Sequence, residues 1–209
     1  ARAYRRHHPV SAAYKVDYVL GGIRGGSTRL NPVGWTAPGC AAAGTVHVGG
    51  TVAEIAAAER EMLAGVMPPR PFVLVCQQAV ADPSRSASQL WPLDAYAHVP
   101  VDHDGPVEPL ITAQIERFAP GFTARIVSTR TTSPRELARH NANNAGGDIG
   151  GGPNDLARLV FRPRITRWPY ATGVPGVFLC SAATPPGGGV HGMCGYHAAG
   201  AALRFLRQS

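Results

Sequence analysis

The chain has 209 residues, 44% of them hydrophobic and only 16% charged, with a formal net charge of +7. That length suffices for one large or two small domains with a real core, and no apolar run reaches the roughly 20 residues of a membrane-spanning helix. The four cysteines, Cys40, Cys76, Cys180 and Cys194, have no C-x-x-C spacing and are read as free, mostly buried thiols in a reducing compartment; the arginines are scattered apart from Arg2, Arg5 and Arg6, with no interleaved aromatics, which argues against a nucleic-acid surface.

In chain order, residues 1–10 are polar and basic and are expected to fray. The alternation in 14-YKVDYVL-20 predicts a strand, and 21–39 a long glycine-rich loop containing Trp35. A short strand, 45-TVHVGG-50, precedes the clearest helix signal. Thr51 caps it, Glu54 follows three residues later, and 52-VAEIAAAEREMLAGV-66 runs until Pro68 and Pro69 stop it. Residues 72-FVLVCQQAV-80 and 91-WPLDAYAHV-99 predict strands on either side of a loop. Residues 107–120 predict a helix with Ile111, Ile115 and Phe118 on one face, and 122-FTARIVSTR-130 another strand. Ser133-Pro134-Arg135-Glu136 carries a cap, a first-turn proline and a first-turn acid, and so opens a short helix. The stretch 141-NANNAGGDIGGGPNDLARL-159 is rich in Asn and Gly and must turn sharply or approach something closely. A buried-looking strand over 175–184 and a helix over about 195–207 close the chain. The fold class expected is α+β, without strict β-α-β alternation, with a strand-loop-helix unit of a different layer following residue 140.

The loop 185-PPGGGVHGMCGYH-197 admits three chemistries. Gly187-x-Gly189-x-x-Gly192 matches the dinucleotide-binding pattern literally. However, Thr184-Pro185-Pro186 separates it from the strand, and the acidic residue that should follow about 20 positions on would fall beyond Ser209. His191, Cys194 and His197 recur every third residue, as a zinc-binding helix face would, yet Gly192 and Gly195 interrupt the helix start and no fourth ligand is evident. The reading favoured is a glycine loop that brings backbone and a helix N-terminus against a large flat ligand. A plain strand-turn-helix corner is the ordinary alternative, but it needs one glycine rather than five between 187 and 195.

The run from Pro175 to Gly192, PGVFLCSAATPPGGGVHG, resembles the C-terminal signature of the phytoene dehydrogenase-like family of FAD-dependent, amine-oxidase-type flavoproteins. The stretches 45-TVHVGG-50, 70-RPFVLVCQQ-78, 114-QIERFAPGF-122 and 146-GGDIGGG-152, followed by 161-FRP-163, support it in order, so the resemblance spans about residues 14–205. It implies that residues 1–140 are most of a mixed-sheet substrate domain. Residues 141–209 would be the C-terminal strand-loop-helix of a Rossmann-like FAD domain, with 177–184 joining that domain's sheet. It implies flavin contacts from Ser181, Thr184, Pro186, Gly187, Gly188, Gly189, Val190, His191, Gly192 and Met193, with the helix N-terminus facing the pyrimidine side of the ring. The family's N-terminal GxGxxG unit is missing, so the chain is expected to be a C-terminal portion whose FAD-binding remainder is a separate chain or has been lost. An acid often found near the flavin in related proteins has no counterpart in Ser181-Ala182-Ala183. The implied reaction is dehydrogenation or isomerisation of a lipophilic, isoprenoid- or carotenoid-like substrate. The implied location is cytoplasmic, with peripheral membrane contact consistent with such a substrate.

Other residues are weighed on their own chemistry. His47 and His98 in strands are candidate pocket acids or bases, against the commoner role of hydrogen-bonded histidines. One of Gln77 and Gln78 must point inward, towards core or cavity, and Trp35 is a candidate lining residue. With Gln77 these make up the substrate-side candidates Trp35, His47, Gln77 and His98. Asp148 lies between glycine pairs, as a turn aspartate or part of the flavin wall. No catalytic acid or base is assigned, and a flavin desaturase need not have one. The rival from another class is a non-catalytic binding or interaction module without flavin.

Overall fold

The computed structural model describes residues 9–22, 30–86, 89–152 and 161–208. Arg2, Arg5 and Arg6, part of the 21–39 loop, residues 87–88 of the loop before 91–99, and residues 153–159 of the Asn/Gly-rich stretch lie outside the described residues. One sheet organises the first two thirds of the chain. Its strands are β1 (Ala12–Leu20), β2 (Thr45–Val48), β3 (Val73–Cys76), β4 (Trp91–Val99) and β5 (Ile126–Thr132), in the order β2-β3-β4-β1-β5.

All four pairings are antiparallel, which corrects the expected mixed sheet. The connection after β2 shows why. Helix α1 (Val52–Leu63) and the proline turn after it return the chain to the end at which it left, because Val48 lies opposite Val73. A strand entering at that end must run the other way. The centre is the nine-residue pairing of β1 with β4, from Ala12 opposite Val99 to Leu20 opposite Trp91.

Alternation then decides the faces. Tyr14, Val16, Tyr18 and Leu20 of β1, and Trp91, Leu93, Ala95, Ala97 and Val99 of β4, are buried on one face with Val73 and Val75. Helix α3 (Glu108–Phe118) covers that face, with Ile111 and Ile115 fully buried. Each contributes roughly 2 kcal/mol of apolar burial. Phe122 meets Tyr18 edge-on at 5.3 Å, and the Tyr18 hydroxyl hydrogen-bonds Thr112 Oγ1 at 2.9 Å; burial pushes its ionisation well above the ordinary tyrosine value. Edge strand β5 is polar and largely exposed, a composition that discourages edge-to-edge pairing.

The predicted capping box at Thr51 forms, and the predicted Ser133 cap proves to be a full box as well. Thr51 and Glu54 exchange bonds at the start of α1, and Ser133 and Glu136 do so at the start of α4 (Pro134–His140). Three expectations change. The strand over 72–80 stops at Cys76, because Gln77 N–H bonds Gly44 and the chain turns into the short helix α2 (Gln78–Ala81). One turn of 3-10 helix over 123–125, tied to the Glu116 carboxylate through Gly121 and Thr123 N–H, delays β5, which runs on to Thr132. The buried strand over 175–184 is not a strand. It makes one isolated bridge, Phe178 with Ala171, then turns where Thr184 N–H bonds Ser181 O. Among the described residues no neighbouring strand meets it, so the Rossmann-like part of the expected architecture has no sheet there. The chain ends in helix α5 (Met193–Leu206). No helix among the described residues is long and apolar enough to cross a membrane.

Candidate functional site

The glycine loop has a firmly held inner side and an open outer side. Thr184 is fully buried. Its N–H and its hydroxyl both donate to Ser181 O, at 2.9 and 2.8 Å, and its own carbonyl accepts from Gly187 N–H at 2.8 Å. Cys194, also buried, points its thiol back at the carbonyls of Thr184 and Gly187, at 3.4 and 3.3 Å. The buried Arg162 guanidinium bonds Ala182 O at 2.9 Å, and Tyr170 OH bonds Pro185 O at 2.9 Å. Asp148, also buried, accepts from the N–H groups of Gly150, Gly151 and Gly152, and a side chain on Gly151 would come within 2.8 Å of Ala183 N. Asp148 is therefore a turn aspartate whose turn braces the loop from behind.

Two glycines are required sterically. At Gly187, φ is +104° and a Cβ would lie 2.4 Å from Arg162 Nη1. At Gly189, φ is +151° and a Cβ would lie 2.7 Å from the His191 ring. Bare backbone there lets the chain fold tightly over Arg162 and His191.

On the outer side every residue from Gly188 to Met193 is exposed, and Val190 stands fully in solvent. Gly192, in the left-handed conformation, begins α5 with no side chain of its own to cap it and no acid in the first turn; Met193 N–H donates to His191 Nδ1 at 3.0 Å. Fourteen aligned peptides therefore present their positive end through a glycine-lined entrance at which His191 engages the first N–H. Of the ten residues implied for flavin contact, Gly188, Gly189, Val190, His191, Gly192 and Met193 lie on this outer side, with Pro186 and Ser181 exposed beside it. Thr184 and Gly187 form its buried support.

The zinc arrangement is not assembled. The Cys194 thiol points inward, His191 caps Met193, and His197 lies against Tyr170 and Tyr196; among the described residues no group of ligating side chains converges.

The four substrate-side candidates divide between the core and the sheet's second face. Trp35 Nε1–H donates to Gln77 Oε1 at 3.1 Å, and the Gln77 amide donates to Cys40 O and Ala43 O at 2.8 and 2.7 Å. Both residues lie in the core, where Gln77 clamps the 31–43 loop to the end of β3. His47 and His98 lie on the sheet's second face. His47 is exposed against Phe72, and His98 is half-buried, its Nδ1 3.2 Å from Glu59 of α1.

That second face also carries groups the motif reading passed over. Asp94 and Asp17 stand opposite one another on β4 and β1, with Cys76 opposite Asp94 and Lys15 2.5 Å from Asp17. Gln78 donates to Asp94. Burial above all raises the Asp94 carboxyl, against the pull of Lys15 and with a further push from Asp17, and burial with Asp94 nearby raises the Cys76 thiol. The signal was period-two alternation, which puts Lys15, Asp17, Cys76 and Asp94 on one side of a sheet.

No family model matches the chain. The chain is 36% identical over 94 residues to pyridine nucleotide-disulfide oxidoreductase domain-containing protein 2 of Rattus norvegicus, and equally to that of Mus musculus. The match covers 44% of this chain and 16% of each relative, so the chain is similar, over less than half its length, to a small part of a much longer oxidoreductase-domain protein.

Proposed function

We propose that the chain is part of an FAD-dependent oxidoreductase, dehydrogenating or isomerising a lipophilic substrate of isoprenoid or carotenoid type. The observation that carries the reading is the exposed backbone run Gly188–Met193 leading into the N-terminus of α5, whose first turn holds no acid. The similarity to an oxidoreductase-domain protein supports the reaction class. The chemistry of the loop suits a flavin's pyrimidine edge: exposed backbone from Gly188 to Gly192, a helix N-terminus with no acid in its first turn, and an inner brace of buried hydrogen bonds. Bound there, the flavin would supply hydride acceptance. The chain's own part would be to place backbone N–H groups of the loop and the positive end of α5 where negative charge gathers on the reduced ring. Thr184, Arg162 and Cys194 would hold the loop in that shape.

The described residues contain no parallel β-α-β unit for the adenosine and pyrophosphate. The reading therefore includes a companion portion that supplies them. The isolated segment at 177–182 and the exposed Val174, Val177 and Ile165 would pack against it. The same exposed residues favour a second reading, an interaction module without flavin. Absorbance of the natively purified sample, together with FAD titration, separates the two. The flavoenzyme reading expects a larger companion and visible flavin bands, or saturable flavin uptake. A colourless sample that takes up no flavin with or without a companion overturns it.

A further inference from the structure

A cavity of about 390 Å³ opens between residues 167–171, Phe178 and the C-terminal half of α5, away from the outer side of the glycine loop. Its walls are Trp168, Tyr170, Phe178 and Phe205, with Arg167 and Arg204 beside them. The volume is in the range of small-molecule sites, roughly 300–1,000 Å³. The walls are fixed. Phe178 and Phe205 pack at 6.0 Å, Leu179 N–H bonds Tyr170 O at 2.7 Å, and the Tyr170 hydroxyl is tied to Pro185.

The surrounding segment is strongly cationic. From Phe161 to Gln208 the chain has Arg162, Arg164, Arg167, Arg204 and Arg207 and not one Asp or Glu. Neither Arg167 nor Arg204 makes an ion pair among the described residues. Arg204, in the last turn of α5, also complements the helix dipole, but Arg167 has no such role. Aromatic walls with two guanidiniums and no acid among the lining residues are complementary to one ligand class: an apolar body carrying an anionic head.

We propose that this cavity binds a small amphipathic carboxylate, its apolar body against Phe178 and Phe205 and its carboxylate held by Arg167 and Arg204. The proposal stands apart from the flavin reading. Trp168, 70% exposed where Trp35 and Trp91 are buried, is the natural reporter. The test is titration of the purified sample, with any companion it carries, with para-tert-butylbenzoate and its neutral amide, followed by Trp168 fluorescence and calorimetry. The carboxylate should bind about tenfold or more tighter than the amide, and Arg167→Gln and Arg204→Gln should each weaken it about tenfold while leaving the amide unchanged. Ala201→Phe, from the α5 wall, should abolish binding of both with an unchanged circular dichroism spectrum. Equal affinity for acid and amide, binding indifferent to both arginine variants, or no binding by the sample each overturns the proposal. So does loss of a companion protein, rather than of the probe, in Ala201→Phe.

Discussion

Gln77 shows how much one side chain can organise. Its amide serves two carbonyls and one indole N–H with no exposure to water. Gln77→Leu removes that amide and takes the partner from the buried Trp35 indole N–H and from the Ala43 carbonyl, while Cys40 O keeps its bond from Ala43 N–H. It should cost about 3 kcal/mol in urea unfolding, from the desolvation of groups that lose their partners. Val190 is the opposite case, fully exposed at the mouth of the loop. Val190→Asp should leave stability unchanged and weaken FAD uptake about five- to tenfold, because a carboxylate there competes for the positive end of α5. If uptake in that variant matches the parent, the loop is not where flavin binds.

At the scale of elements, α1 owes its start to the Thr51–Glu54 box. Bonds from Thr51, first its N–H and then its hydroxyl, hold the Glu54 carboxyl down at about 2. A depressed carboxyl stabilises the fold above the ordinary carboxylate range, and that stability is lost as pH falls towards 2. Thr51→Ala should lower stability by about 1 kcal/mol at neutral pH, the usual worth of such a cap. It should also flatten the acid limb of the stability curve; urea midpoints across that pH range measure both. Both helix starts were legible because their chemistry is local: cap, acid and spacing are all in the sequence. The 175–184 segment was not. Its apolar, β-branched composition reads as a buried strand, but a strand needs a neighbour, and composition cannot say whether one is present.

At the scale of the whole molecule, the two parts of the chain differ in how well they cover their apolar groups. The sheet closes its core face under α3, whereas residues 161–208 leave Ile165 83%, Trp168 70% and Leu206 68% exposed. Apolar groups this open drive association. Sedimentation velocity should find the chain self-associating or carrying a companion, and the pair Ile165→Thr with Val177→Thr should shift it towards monomer. A parent chain that sediments as a lone monomer at high concentration would mean that this surface needs no cover.

What the sequence determined by itself were the properties set by near neighbours. These include the nine residues of β4, both capped helices, the core stripe of α3, and a glycine loop ahead of a final helix. Tertiary structure decided the rest, because each remaining question depends on residues far apart in the chain. Loop closure after β2 made the sheet antiparallel. Alternation across paired strands sent His47 and His98 to one face, while the inward turn at the end of β3 placed Gln77 beside Trp35 in the core. Packing turned Cys194 inward beneath Thr184, removing it from the zinc pattern that its spacing with His191 and His197 had suggested.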